Sequence, residues 1–223
     1  MTGYTAGNNT KMKIVNATGM LVAEAGFANV STRAIAERAG ENIGSIHYHF
    51  GGKDGLFEAV VKEAMADSIE QRVWQPAADL DPADATPEKL SAVLRETVKQ
   101  QIDMTFRSLK PQWHTLVIYQ LLQRNDALTD LFLNDVLEPD NKAMSKLFRL
   151  ANPDLTDEEV FLHIILLKMP IFSHVNHQAM LLKQLNASKY SDDYLQKMED
   201  LLVRQTQLLL GLPEDCRPVK GKV

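Results

Sequence analysis

Apolar residues recur along this chain at helical spacing almost from end to end. Ile14, Ala17, Thr18, Leu21, Val22 and Ala25 fall at i, i+3 and i+4 intervals, which predicts an amphipathic helix over about 10–25, closed by Gly26. The elements then shorten. Thr32–Ala39 reads as a helix stopped by Gly40, Ile43–His49 as a second stopped by Gly51-Gly52, and Lys53 to about Arg72 as a longer third. Residues 75–87 hold three prolines and three aspartates. Proline lacks an amide donor and fixes φ, so a loop is expected there, with Thr86 capping a helix that has Pro87 in its first turn. Further helices are expected at about 87–107, 111–124, 126–150, 156–186 and 191–210. The capping box Thr156-Asp157-Glu158-Glu159 opens the fourth of these. Pro139 and Pro170 fall inside two of them and should kink or split each. No alternating run suggests a sheet, so the expected class is all-α.

Within 31–50 two short helices meet at a tight turn. Ala36 is small where they would cross. Gly40, four residues on, meets the need for a left-handed backbone. Ile46, six residues further, is the apolar plug, and Ile35, Ala39 and Ile43 complete the expected core. This spacing is what a helix-turn-helix requires. Solvated helical hairpins in other proteins share it, so the outward face matters. There the second helix offers Gly44, Ser45, His47, Tyr48 and His49, short or planar groups suited to base edges and phosphates. Thr32, read as an N-cap, and Lys53, at the next helix start, are placed to hold phosphates. Arg33 is the long forked donor, matched to guanine.

The segment from about Thr10 to Val60 resembles the DNA-binding domain of the TetR family of transcriptional regulators. The resemblance runs through Glu24-Ala25-Gly26-Phe27, Val30 to Gly40, Ile46-His47-Tyr48-His49-Phe50 and Gly52-Lys53-Asp54-Gly55-Leu56-Phe57. It implies DNA contacts from Thr32, Arg33, Ser45, His47, Tyr48, His49 and Lys53, and the recognition helix adds Asn42 and Gly44 as candidates. Asn42–Phe50 is similar to a subgroup with an Asn-Leu-Ala-Ala-Ile-Asn-Tyr-His-Phe pattern and a long all-helical C-terminal domain. Two positions depart from the family. His47 stands where an aromatic residue is common, and Glu41 where an aliphatic one is usual. An acid beside DNA would repel phosphate, so Glu41 is expected to face away.

The implied organisation is a flexible N-terminus over 1–9, a three-helix DNA-binding domain over 10–56, a larger helical ligand-binding and dimerisation domain over 57–212, and a tail over 213–223. Leu195, Met198, Leu202, Gln205 and Leu209 recur at alternating spacing of three and four, a stripe that suits helix packing within a subunit or across a two-fold. The resemblance favours the two-fold, with Leu181 and Leu185 added from the preceding helix. Phe106, Trp113, His114, Val117, Leu121, Met169, Phe172 and His174 are candidate ligand-pocket residues, because apolar walls with a few polar groups suit small organic molecules. The same pattern also describes ordinary core.

Composition narrows the function classes. At 45% hydrophobic and 24% charged the chain is an ordinary globular sequence. No apolar run approaches the roughly 18–20 residues of a membrane span. A single cysteine, Cys216, fits a reducing compartment, and a cytoplasmic location is expected. Nucleotide-binding, metalloprotease and nucleophile-elbow motifs are absent, so neither catalysis nor a cofactor is expected. His174-x-x-His177 has a metal-compatible spacing but no accompanying ligands, and no metal is expected. The net charge of −5 argues mildly against a nucleic-acid binder, yet residues 1–60 hold five Lys or Arg against five Asp or Glu, so the acidity lies elsewhere. The expected partners are double-stranded operator DNA, a small organic effector and a second copy of the chain. The alternative is a helical small-molecule-binding protein or enzyme whose hairpin reads no DNA.

Overall fold

The computed structural model describes residues 3–214. Among them every regular element is helical, and the chain divides into two compact units. The first runs to Glu70 and takes in Leu109–Val136. The second comprises Gln71–Ser108 and the chain from Leu137 onward. The expected division after residue 56 is thus not where the units part. The helix following residue 53 and the segment 109–136 belong with the N-terminal head, because their apolar faces supply part of its core.

The first unit is built on α1 (Gly3–Ala25), α2 (Thr32–Ala39), α3 (Ile43–Phe50) and α4 (Lys53–Gln71). The expected flexible start is helical from Gly3 onward: once Ile14, Val15 and Val22 anchor α1 in the core, each added residue gains a hydrogen bond without a new nucleus having to form. Ser31, not Thr32, caps α2, its hydroxyl accepting from the Ala34 amide at 3.1 Å. Gly40 ends α2 at φ 66°, and the Glu41 amide reaches back to the Ala36 carbonyl at 3.0 Å. Asn42 caps α3 by accepting from the Ser45 amide at 2.8 Å. The core gathers Ile35 and Ile46 with Leu56, Val60 and Val61 of α4, and Phe27 meets Phe57 edge to face at 5.1 Å. Ile43, expected in this core, is 44% exposed. Burying an aliphatic side chain is worth about 1.5–3 kcal/mol, and Ile43 forgoes much of it.

The short α5 (Gln75–Ala78) and α6 (Pro87–Ile102) come next along the chain and belong to the second unit. The first unit resumes with α7 (Trp113–Leu121) and α8 (Ala127–Phe132). α7 packs on α1 with Trp113, Val117 and Leu121 on its inner face, and Trp113 lies directly over Gly19.

The second unit contains α5, α6, α9 (Glu138–Ala151), α10 (Asp157–Asn176), α11 (Gln178–Gln184) and α12 (Asp192–Leu210). The expected 126–150 helix is split by a π turn over Leu133–Leu137, which leaves Pro139 in the first turn of α9, where its missing amide costs nothing. α10 carries on through Pro170, and the break in the expected 156–186 helix comes at His177. A second π turn, Asp103–Arg107, extends α6. The Thr156–Glu159 capping box forms in both directions. Two buried polar ties set the packing. Arg95 of α6 binds Glu199 and Asp200 of α12 at 3.1 and 2.7 Å. Lys168 of α10 binds Asp140 and Asn141 of α9. Burial pushes the Lys168 ammonium below its ordinary range, with Asp140 opposing the shift.

Candidate nucleic-acid interface

The outward face of the head is built on α3. Over its two turns residues 43, 44, 47 and 48 share one side, and all four are exposed or nearly so, Tyr48 at 84%. Ser45 and His49 are half-buried along the edge, with the Tyr48 and His49 rings 4.9 Å apart. Ile46 points the other way and is fully buried. Asn42 is exposed, but its side-chain oxygen is committed to the cap, leaving its amide as the group free to reach outward. Arg33 is exposed near the start of α2, and Thr32 beside it is half-buried.

Charge on the head is sorted rather than merely balanced. Arg38 forks onto Glu24 at 2.6 and 2.7 Å, and this hydrogen bonding holds the Glu24 carboxyl below its usual range against a smaller opposing effect of burial. Lys13 lies 3.7 Å from Glu41, whose carboxylate also accepts from Thr10 at 3.5 Å. Glu41 is therefore turned back onto α1, as its unusual chemistry required. Lys11, Arg33 and Lys53 make no ion pair among the described residues. Lys11 rests over the Phe50 ring at 5.8 Å and Lys53 over the Phe57 ring at 5.1 Å. The arrangement leaves three cations available around a polar helix face, the layout of a surface that meets phosphates and base edges.

The comparisons with known proteins fall on this same segment. Residues 14–60 match the family model described as bacterial regulatory proteins, tetR family. Over this segment the chain is similar to the tetR family. Its curated relatives include the probable HTH-type transcriptional regulator YttP of Bacillus subtilis, 44% identical over 55 residues, and the HTH-type transcriptional regulator BetI 2 of Chromohalobacter salexigens, 37% identical over 57 residues. These alignments cover 25% and 26% of this chain, and 27% and 28% of the relatives' own lengths. Over nearly the whole chain the fold is similar to that of SmeT, the repressor of the Stenotrophomonas maltophilia multidrug efflux pump SmeDEF. That likeness has a TM-score of 0.56 at 19% identity and covers 96% of this chain and 97% of SmeT. A SmeT–triclosan complex matches with a TM-score of 0.55 at 18% identity, covering 96% of this chain and 99% of that one. The all-α class, with an N-terminal helix-turn-helix of the TetR type and a larger helical remainder, is the observed one.

The candidate ligand residues do not stay together. Trp113, His114, Val117 and Leu121 lie in the core of the first unit, where α7 meets α1. Phe106, Met169, Phe172 and His174 lie in the second. There a cavity of about 450 Å³ opens against Phe106, Arg107, Gln178, Lys189, Tyr190, Ser191, Asp192 and Leu195. Phe106 meets Tyr190 edge to face at 5.6 Å, and Tyr190 stacks on Tyr194 at 5.2 Å. The Tyr190 hydroxyl donates to the His174 carbonyl at 2.9 Å, and burial pushes its ionisation above the ordinary tyrosine range. His174 stands behind this wall, its ring bonded to the Pro170 carbonyl and the Tyr194 hydroxyl. That satisfied ring is a structural histidine, and Met169 faces outward at 42% exposure. The sequence does not single out Tyr190, since nothing in its polar surroundings distinguishes it from a loop tyrosine.

The expected dimer stripe also divides. Leu195, Met198 and Leu202 are buried within the subunit, because the residues at alternating spacing on α12 face α6 and α10. Gln205, Leu209 and Leu185 are exposed, and Leu181 is half-buried. No helix among the described residues is long and apolar enough to cross a membrane. Cys216 lies outside the described residues.

Proposed function

We propose that this chain is a homodimeric, ligand-responsive transcriptional regulator, acting as a repressor on a palindromic operator. The observation that carries the reading is the exposed, largely polar outward face of α3, within the segment that matches the tetR family model, on a head whose Lys11, Arg33 and Lys53 make no ion pair among the described residues. Thr32, Arg33, Ser45, His47, Tyr48, His49 and Lys53 make the contacts, with Gly44 allowing close approach and the Asn42 amide reaching outward. Two heads enter successive major grooves on one side of the duplex, centres roughly 34–36 Å apart.

Pairing runs through the exposed apolar residues Phe161, Leu162, Leu166 and Met169 of α10 and Leu201, Leu208 and Leu209 of α12. These are too many to leave in water on two packed helices, and a second copy buries them in a four-helix bundle. The effector is a small organic molecule held in the second unit, and the aromatic-walled cavity at Phe106 supports that reading, as does the complex of SmeT with triclosan on a similar fold. Such a ligand acts only if it prefers the state that releases DNA. Catalysis is no part of the reading, and the compartment is the cytoplasm.

The test is binding of the full-length protein to duplex DNA selected from a random pool. Lys53→Ala weakens all sequences about equally and lowers the salt slope by about 1 per head. Arg33→Ala costs about 1–3 kcal/mol and relaxes specificity at one base position. Recovery of no enriched sequence, or indifference to both substitutions, overturns the proposal.

A further inference from the structure

Ile43 is the first residue of α3, and its place is unlike that of the other isoleucines in the helix-turn-helix. Ile35 and Ile46 are fully buried, whereas Ile43 is 44% exposed. It shares its side of α3 with Gly44, His47 and Tyr48, the face turned to solvent. Gly44 beside it carries no side chain, and Asn42 Oδ1 lies 3.0 Å from where its Cβ would stand, so Ile43 is the aliphatic group at this end of the face. One exposed isoleucine is ordinary on a protein surface. This one sits at the tip of the helix that the head presents, among groups that otherwise make hydrogen bonds.

The floor of a major groove is a row of hydrogen-bond donors and acceptors with one apolar exception, the C5-methyl group of thymine. An isoleucine pressed against a guanine, cytosine or adenine edge strips water from polar atoms and returns no hydrogen bond, which disfavours those bases. Against a thymine methyl it buries apolar surface on both sides. We propose that Ile43 reads a thymine in each operator half-site through its C5-methyl group. This inference rests on the DNA-reading function above and adds a specificity-determining residue to it.

Deoxyuridine differs from thymidine only by that methyl and keeps the same base pairing. Each thymine of the pool-selected operator is replaced by uracil, in both half-sites together, and affinity is measured with the full-length protein. At one symmetric pair of positions the affinity should fall about fourfold per methyl, roughly fifteenfold for the pair. Ile43→Ala should bind the thymine and uracil operators equally at that pair while keeping the thermal midpoint of the parent. The inference is overturned if no position responds to the missing methyl. It is equally overturned if Ile43→Ala still discriminates, which assigns the methyl to Tyr48 or to DNA shape and leaves the DNA-reading function intact. Failure of the pool to yield any operator sinks both readings together, and the Arg33 and Lys53 variants identify that case.

Discussion

Gly55→Ala sets two effects of opposite sign against each other at the junction that aims the recognition helix. α3 ends at Phe50, the chain turns through Gly51 and Gly52, and α4 begins at Lys53. A Cβ on Gly55 would lie 2.1 Å from the Phe50 carbonyl oxygen and 3.2 Å from its carbonyl carbon. Helix propensity alone makes alanine better than glycine by about 1 kcal/mol inside a helix. Steric overlap of this kind costs about 1–3 kcal/mol, and the upper part of that range applies because the obstacle is backbone, not the movable end of a side chain. The net expectation is destabilisation by about 1–2 kcal/mol. Urea unfolding should show a lower midpoint at unchanged slope. Because relief requires Phe50 or the first turn of α4 to move, the substitution should also displace His47, His49 and Lys53 and weaken operator binding. Gly40→Ala is the control: its φ is 66° but no atom lies within 4 Å, so only backbone strain of about 1–2 kcal/mol applies. A Gly55→Ala protein as stable as the parent, or more so, would refute the reasoning, since propensity would then have outweighed contact.

Three further outcomes are expected. Gly19→Ala drives a methyl into the Trp113 indole and should destabilise by about 1–3 kcal/mol, while Trp113→Leu should cost less in that background than in the parent; additive effects in the double-mutant cycle would deny the contact. Leu201→Glu with Leu208→Glu should convert a dimer to a folded monomer in sedimentation, both side chains being largely exposed in the subunit; a persisting dimer would place the interface elsewhere. The amide and hydroxyl of Thr156 hold the Glu159 carboxyl below its ordinary value of 4.5, so its folded-state value is the lower one. The stability it lends is present above pH 4.5 and lost as pH falls through the folded value. Glu159→Gln should therefore flatten the acid side of a thermal-midpoint profile, and an unchanged profile would remove the capping box from the account.

The helix-turn-helix is legible in the sequence because its determinants are local. A glycine at a left-handed turn and a buried isoleucine one turn into α3 act over a few residues, whereas the cap of α2 is Ser31, one residue before the expected Thr32, and the cap at Asn42 is found only in the structure. Ile43 departs from expectation because a two-turn helix puts 43 and 46 near one edge, while α2 covers only the side on which 46 lies. The same ambiguity applies to α7 and α12. Trp113, Val117 and Leu121 have the spacing of any inward face, and spacing does not say whether a pocket or α1 lies opposite. On α12 the stripe through Leu195, Met198 and Leu202 is intrachain core, and the exposed line of Leu201, Gln205 and Leu208 lies out of step with it. The added turns at the start of α1 have another cause. Gly3, Gly7 and two asparagines are poor helix formers, and their propensity is outweighed by a helix already anchored downstream.

Net charge illustrates how pairing changes what composition means. The head is neutral by count, which alone predicts weak attraction to DNA. The structure commits Arg38 to Glu24 and Lys13 to Glu41, both on the α1 side, and leaves Lys11, Arg33 and Lys53 outside any ion pair among the described residues. With Arg33 at a base, Lys11 and Lys53 of each head leave four phosphate contacts in a dimer, and the slope of log affinity against log salt is about −4, from roughly −0.9 per contact. Titration of salt from low to physiological concentration against the selected operator measures it directly. A slope near about −10 would mean that the paired cations also open to phosphate, breaking their ion pairs on binding. A slope near about −2 would mean that Arg33 and a flanking lysine point at bases or solvent. At the intermediate value, the acidic chain binds DNA through few phosphates, and discrimination between sequences falls to Arg33 and the exposed side of α3.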